Sequence, residues 1–212
     1  MKNLLDHLSF RTRCGICLIL FSILLIACDS DDAPSQESLL PPITMTGENT
    51  FGCLIDGKFF RPRDGNTSIN IANRGLRVLR SETNNIEFES HDFKTNVART
   101  FIIHVEDLLL SGEGIYEVNT SNGLRSLDGN NNSYIHCTTK SPLTDEQAFY
   151  TSYDNSGNIY IEELLLDSVN GNIISGTFNA KLTNILNPQD TVLINKGRFD
   201  INSITILQTT FN

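Results

Sequence analysis

The chain has 212 residues, of which 39% are hydrophobic, and carries a formal net charge of −9. That length suits one domain with a leader and a linker. The acidity argues against a nucleic-acid binder, which needs basic patches to neutralise phosphates.

The first 27 residues read as a targeting segment. Lys2, Arg11 and Arg13 supply positive charge, and Gly15 to Ile26 is apolar except for Ser22. The run fits a signal-peptide core and is too short to span a bilayer. Its end, Leu25-Ile26-Ala27-Cys28, resembles a bacterial lipoprotein signal cut before the cysteine. The resemblance implies a mature chain that begins at Cys28, with a lipid on its sulfur, and a membrane partner reached through that anchor. Two or more acyl chains anchor stably where one binds only reversibly. Asp29, Ser30, Asp31 and Asp32 resemble the acidic export tag of Bacteroidota lipoproteins, which implies an outer-membrane location facing the cell exterior. A solvated acidic linker and a periplasm-facing protein stay open on charge alone. Without residues 1–27, Lys plus Arg falls from 16 to 13 and Asp plus Glu from 25 to 24, a net charge of −11.

Residues 28–46 contain Pro34, Pro41 and Pro42 among Ser, Gln and Glu, the composition of a disordered spacer. From Gly47 to Asn212 the pattern is short strands between turn signals. Asn49 to Ile55 alternates, Asp56-Gly57 marks a tight hairpin turn, and Lys58 to Phe60 continues until Pro62. Further strands are expected over Ser68–Ala72, Leu76–Arg80, Ile86–Ser90, Arg99–Glu106, Ile115–Val118 and Tyr134–Thr138. Ser141 to Ala148 carries the signals of one short helical turn. Strands resume over Phe149–Tyr153, Ile159–Leu166, Ile173–Leu182 and Thr191–Ile201, with a phase slip in the last that a bulge near Lys196-Gly197 would repair. The pattern predicts an all-β domain, an antiparallel β-sandwich or flattened barrel of about 9–11 strands.

The stretch from Thr46 to Lys58 (Thr-Gly-Glu-Asn-Thr-Phe-Gly-Cys-Leu-Ile-Asp-Gly-Lys) resembles the opening signature of a Bacteroidota lipoprotein family. Ile174-Ser175-Gly176-Thr177-Phe178 and Lys196-Gly197-Arg198-Phe199-Asp200 resemble its ending. The resemblance implies an anchored β-domain and no particular activity.

Once Cys14 and Cys17 leave with the leader and Cys28 takes lipid, Cys53 and Cys137 remain, both on apolar strand faces. Either they form a disulfide closing 84 residues, worth about 4 kcal/mol, or they are separate buried thiols; an oxidising compartment favours the disulfide. His91, His104 and His136, with Glu106 on the strand face of His104, lack any recognised metal-ligand spacing, so no metal or other cofactor is assigned. Asp128, Asn130 and Asn132 begin like a calcium loop but lack its glycine and distal glutamate, and Asp154 to Asn158 fails similarly. Ser168 and Thr191 sit in Asp-Ser/Thr-aliphatic triplets resembling Bacteroidota O-glycosylation acceptors. Phe59, Phe60, Tyr150, Tyr153 and Tyr160 read as core and strand surface rather than a ligand shelf.

No nucleophile elbow, zinc-protease helix motif or phosphate loop is present in the sequence. The sequence therefore points to a non-enzymatic, lipid-anchored binding or structural accessory whose protein, glycan or small-molecule partner it does not name. The rival readings are a calycin-like barrel around a small apolar ligand and a carboxylate-dependent hydrolase.

Overall fold

The computed structural model describes residues 34–66, 73–80, 82–95, 97–121, 127, 132–167 and 169–212. Eleven strands are described: β1 (Thr50–Ile55), β2 (Lys58–Phe60), β3 (Leu76–Arg80), β4 (Ile86–His91), β5 (Ala98–Val105), β6 (Gly114–Val118), β7 (Tyr134–Lys140), β8 (Gln147–Thr151), β9 (Gly157–Leu165), β10 (Ile173–Asn184) and β11 (Thr191–Asn202). One short helix, α1 (Leu108–Ser111), and 3-10 turns at Gln36–Leu39 and Thr205–Gln208 complete the set. Every pairing between these strands is antiparallel. The expected all-β class is what forms.

The strands make one sheet in the order β2-β1-β11-β10-β8-β7-β5-β4-β3, with β6 and β9 branching from β10. It curls into a flattened half-barrel, and β10 is the fold line. The first part of β10 pairs with β9, whereas Thr183 and Asn184 at its end pair with Thr151 and Tyr150 of β8. Six phenylalanines fill the space between the two arms. Phe88 of β4 meets Phe199 of β11 at 4.8 Å between ring centroids, and Phe101 of β5 meets Phe51 of β1 and Phe178 of β10 at 5.9 and 5.6 Å. Burying each ring contributes roughly 2–3 kcal/mol. Among the described residues the space between the arms is thus occupied by aromatic rings, where a calycin-like barrel would hold its ligand.

The hairpins follow the turn chemistry. Asp56 and Gly57 both take positive φ (47° and 76°), as a two-residue hairpin needs, and Ile55 pairs with Lys58. The expected bulge in β11 is present: Phe178 faces Gly197 while Ala180 faces Ile194, and Lys196 is left-handed at φ 51°. A Cβ on Gly197 would lie 2.4 Å from the Phe178 ring, so the bulge brings β11 close enough for that ring only if residue 197 is glycine.

The boundary near Gly47 moves. The compact unit begins at Gln36, so residues 36–46 belong to the body rather than to a disordered spacer. Phe59 donates its backbone N–H to Gln36, Arg198 donates to the Pro41 carbonyl, Lys196 pairs with Glu37, and the Pro41 ring fills the space a Cβ at Gly52 would need. Asp200 holds the end of this segment. Its buried carboxylate accepts hydrogen bonds from Thr44 Oγ1 (2.6 Å), Ser175 Oγ (2.6 Å) and the backbone N–H groups of Thr46, Gly47 and Glu48 (3.1, 2.7 and 3.1 Å).

Three other expectations have different outcomes. Ser141 to Asp145 forms a single i→i+4 turn, closed by the Asp145 N–H on the Ser141 carbonyl at 2.9 Å. The Ser141 hydroxyl caps it, accepting from the N–H groups of Leu143 and Thr144. The turn does not reach Ala148, because β8 begins at Gln147. The Ser68–Ala72 strand lies outside the described residues. Cys53 and Cys137 are free thiols, both fully buried in the core, in place of the expected disulfide. Burial raises both thiol pKa values, most of all disfavouring the reactive thiolate, and Cys137 adds to the effect at Cys53.

Two outcomes follow from this packing. Thiol reagents at pH 8 should leave Cys53 and Cys137 unmodified in the folded protein and label both after denaturation without reductant; fewer than two labelled thiols would restore the disulfide. Burial alone would raise the Asp200 pKa, but the bonds from Ser175, Thr44, Glu48 and Gly47 outweigh it and hold the pKa below the usual aspartate value. The stability this confers is present above the unfolded pKa of about 3.9 and is lost as pH falls through the folded one. Asp200→Ala should cost about 3 kcal/mol at neutral pH and flatten the acid limb of a stability–pH curve, measured by denaturant unfolding.

Candidate functional site

A cleft of about 440 Å³ with mainly aliphatic walls lies at the open edge of the half-barrel, between β3 and the start of β10. It arises because, among the described residues, β3 ends the sheet on one arm and pairs only with β4. Leu76 and Val78 line it from β3, Ile86 from β4, Ile174 from β10, and Ile206 and Leu207 from the C-terminal 3-10 turn. Both faces of the edge strand border it: Leu76, Val78 and Arg80 share one face of β3, Arg77 and Leu79 the other, and Ile174 is on the core face of β10.

The rim is basic. Arg74, Arg77 and Arg80 line the cleft in a chain that is otherwise acidic. Arg77 is tied to Glu89, and Arg74 donates to the Ile206 carbonyl at 3.4 Å. The Arg80 guanidinium is exposed and has neither ion pair nor hydrogen bond among the described residues. At Arg80 the cleft adjoins a second, polar depression, and the two share Arg80, Asn172 and Ser203. The Ser203 hydroxyl oxygen accepts from the Asn172 N–H at 2.9 Å, leaving its own proton to donate.

The histidines form a different feature. His104 and His136 sit on either side of Tyr134, with ring centroids 4.6 Å away in each case, on the face of β5 and β7 turned from the phenylalanine core. Glu87 accepts from the Tyr134 hydroxyl at 3.1 Å and lies 3.5 Å from His104 Nδ1; the carboxylate beside His104 is therefore Glu87 rather than Glu106. Ser121 Oγ meets His136 Nε2. This row is buried, so it offers solvent no nucleophile. His91 is elsewhere, stacked on Phe93. Among the described residues no three His, Cys, Asp or Glu side chains converge on a metal position.

The fully buried carboxylates are engaged within the fold, whereas Glu106, Asp107 and Glu117 line one polar depression beside Tyr116 and Asn119, where burial and then the neighbouring Asp107 raise the Glu106 pKa. Asp92 is held by Arg63 and Thr95, Glu89 by Arg77, Asp190 by Tyr150 and Asn184, and Asp200 by the N-terminal segment. Burial would raise the pKa of Asp92, yet the bonds from Arg63 and Thr95 leave it lowered; Asp190 follows the same logic. Burial and the neighbouring Asp190 push the Tyr150 hydroxyl up to about 12. Of the aromatic residues read from sequence, Phe60 and Tyr150 are core, Tyr160 is half-buried on β9 and Tyr153 is exposed. Phe59 lines a shallow depression with Pro41 and Phe211.

Cys28, Asp29, Ser30, Asp31, Asp32, Asp128, Asn130 and Ser168 lie outside the described residues. Thr191 is half-buried in β11, opposite Thr183, and Asn132 is beside Ser133 in a polar depression. Asp154 is a turn residue that accepts from the Thr120 N–H and hydroxyl. Among the described residues no helix is long and apolar enough to cross a membrane. The cleft was not foreseen from sequence; the one local signal was Arg74, Arg77 and Arg80 interleaved with Leu76, Val78 and Leu79.

Residues 77–202 match the model of a family described as a domain of unknown function, DUF5025, and the chain belongs to that family. The match runs from β3 through β11 and so includes the β3, β4 and β10 walls of the cleft. Comparison with curated proteins and with solved structures gave no match.

Proposed function

We propose that this DUF5025 protein is a lipid-anchored envelope protein, held by Cys28 on the outer membrane and facing the cell exterior, that binds a small apolar molecule without chemically changing it. The observation that carries the binding reading is the cleft between β3 and β10. Its walls are aliphatic, and its volume of about 440 Å³ falls in the range of roughly 300–1,000 Å³ typical of small-molecule sites. A ligand there would lie at the edge of the half-barrel, outside the filled core. The lipoprotein-like box at Leu25 to Cys28 and the acidic Asp29 to Asp32 support the anchor and its orientation.

Two measurements test this reading separately. Cys28→Ala should move the protein from the membrane fraction to the soluble fraction and remove the lipid from its intact mass; retention in the membrane would end the anchor reading. The apolar dye N-phenyl-1-naphthylamine should fluoresce on binding the purified protein. Val78→Trp should abolish that signal by filling the cleft, and Leu207→Asp, at an exposed wall position, should weaken it about tenfold. Undiminished dye binding by both variants would place the site elsewhere.

A further inference from the structure

We infer that the ligand of the cleft is a single-chain fatty acid, its alkyl tail among Leu76, Val78, Ile174 and Ile206 and its carboxylate at Arg80; this rests on the cleft being the binding site.

The three rim arginines are not equivalent. Glu89 occupies Arg77, and the Ile206 carbonyl occupies Arg74. Arg80 has no such partner among the described residues, and it stands where the apolar cleft meets the polar depression. A guanidinium in that position offers a forked pair of donors that matches a carboxylate. Asn172 and Ser203 line the same junction and supply neutral donors on its far side.

The amphipathic order of the site selects the chemistry. A wholly apolar ligand would fill the aliphatic walls but gain nothing from Arg80, and a cationic amphiphile would be repelled by it. Asp167 also lines the polar depression, but its carboxylate already accepts from Val169, Asn170 N and Asn170 Nδ2, and it makes no ion pair with Arg80. The net charge of −11 left without residues 1–27 (13 Lys plus Arg, 24 Asp plus Glu) repels anions at long range, so recognition of a carboxylate depends on this local contact. A volume of about 440 Å³ accommodates one tail more readily than the two of a diacyl lipid.

The test uses the purified mature protein and displacement of bound N-phenyl-1-naphthylamine by myristate, methyl myristate, tetradecylamine and tetradecyl phosphate. Myristate should displace the dye at a concentration about tenfold below that of the ester or the amine, and at or below that of the phosphate. Arg80→Gln should bring myristate to the level of the ester and leave the ester unchanged, with an unaltered melting temperature. Equal potency of acid and ester in the wild-type protein, or an acid preference that survives Arg80→Gln, would overturn the inference while leaving the cleft reading intact. Tighter binding of the phosphate than of myristate would likewise overturn it. Dye binding that none of the four compounds displaces, and that Leu207→Asp does not weaken, would remove both readings.

Discussion

Five donors converge on the carboxylate of Asp200, and the geometry of the body depends on that convergence. Three are backbone N–H groups of consecutive residues, Thr46, Gly47 and Glu48, and two are hydroxyls, Thr44 and Ser175. A buried aspartate without partners would be expensive. With five donors it becomes a clamp that joins the incoming chain to β10 and β11. Gly47 is left-handed at φ 78°, and a Cβ there would meet the Asn202 side chain at 2.8 Å, so the turn around the carboxylate admits glycine. Asn49 extends the clamp: its side-chain oxygen accepts from the Asn202 N–H and its amide donates to Thr205 and Thr209. The Thr-Gly-Glu-Asn opening and the Arg-Phe-Asp ending, far apart in sequence, are two halves of one joint.

That joint has consequences for the open edge. Asn202 and Thr205 bracket the turn into the C-terminal 3-10 segment, and this segment carries Ile206 and Leu207 to the cleft. The hydrogen bonds at Asp200 and Asn49 therefore position one wall of the cleft, while the phenylalanine stack between the arms positions the other through β4 and β3. The filled centre and the recessed edge have a common origin. Six rings occupy the middle of a curled sheet, and the sheet ends at β3 before it can close against β10.

Local rules made much of this architecture readable. Alternation in Arg99–Glu106 and short apolar runs between turn signals in Leu76–Arg80 and Ile86–Ser90 gave strands close to those observed, and Asp56-Gly57 and Lys196-Gly197 specified a hairpin and a bulge through their backbone preferences. Features made by distant residues were not readable. Residues 36–46 have a spacer's composition, yet bonds to Phe59, Arg198 and Asp200 fix them to the body. The second face of β4, β5 and β7 alternates as a solvated face would, yet Glu87, His104, Tyr134 and His136 are buried on it. The cleft draws on segments around residues 76, 86, 174 and 206, which no window of sequence joins.

The free thiols show how the core and the presumed compartment pull in different directions. An oxidising envelope favours joining two cysteines on facing apolar surfaces. The core, however, already fixes β1 and β7 through Phe51 against Phe101, because Phe101 pairs directly with Cys137 across β5 and β7. A covalent link there would constrain strands that aromatic packing has already brought into place, so its contribution would come from the unfolded chain rather than from new native order. Cys53 and Cys137 are small hydrophobes in this setting, fully buried and disfavoured as thiolates. They fit the same filled centre that moves any ligand site out to the edge beside Arg80.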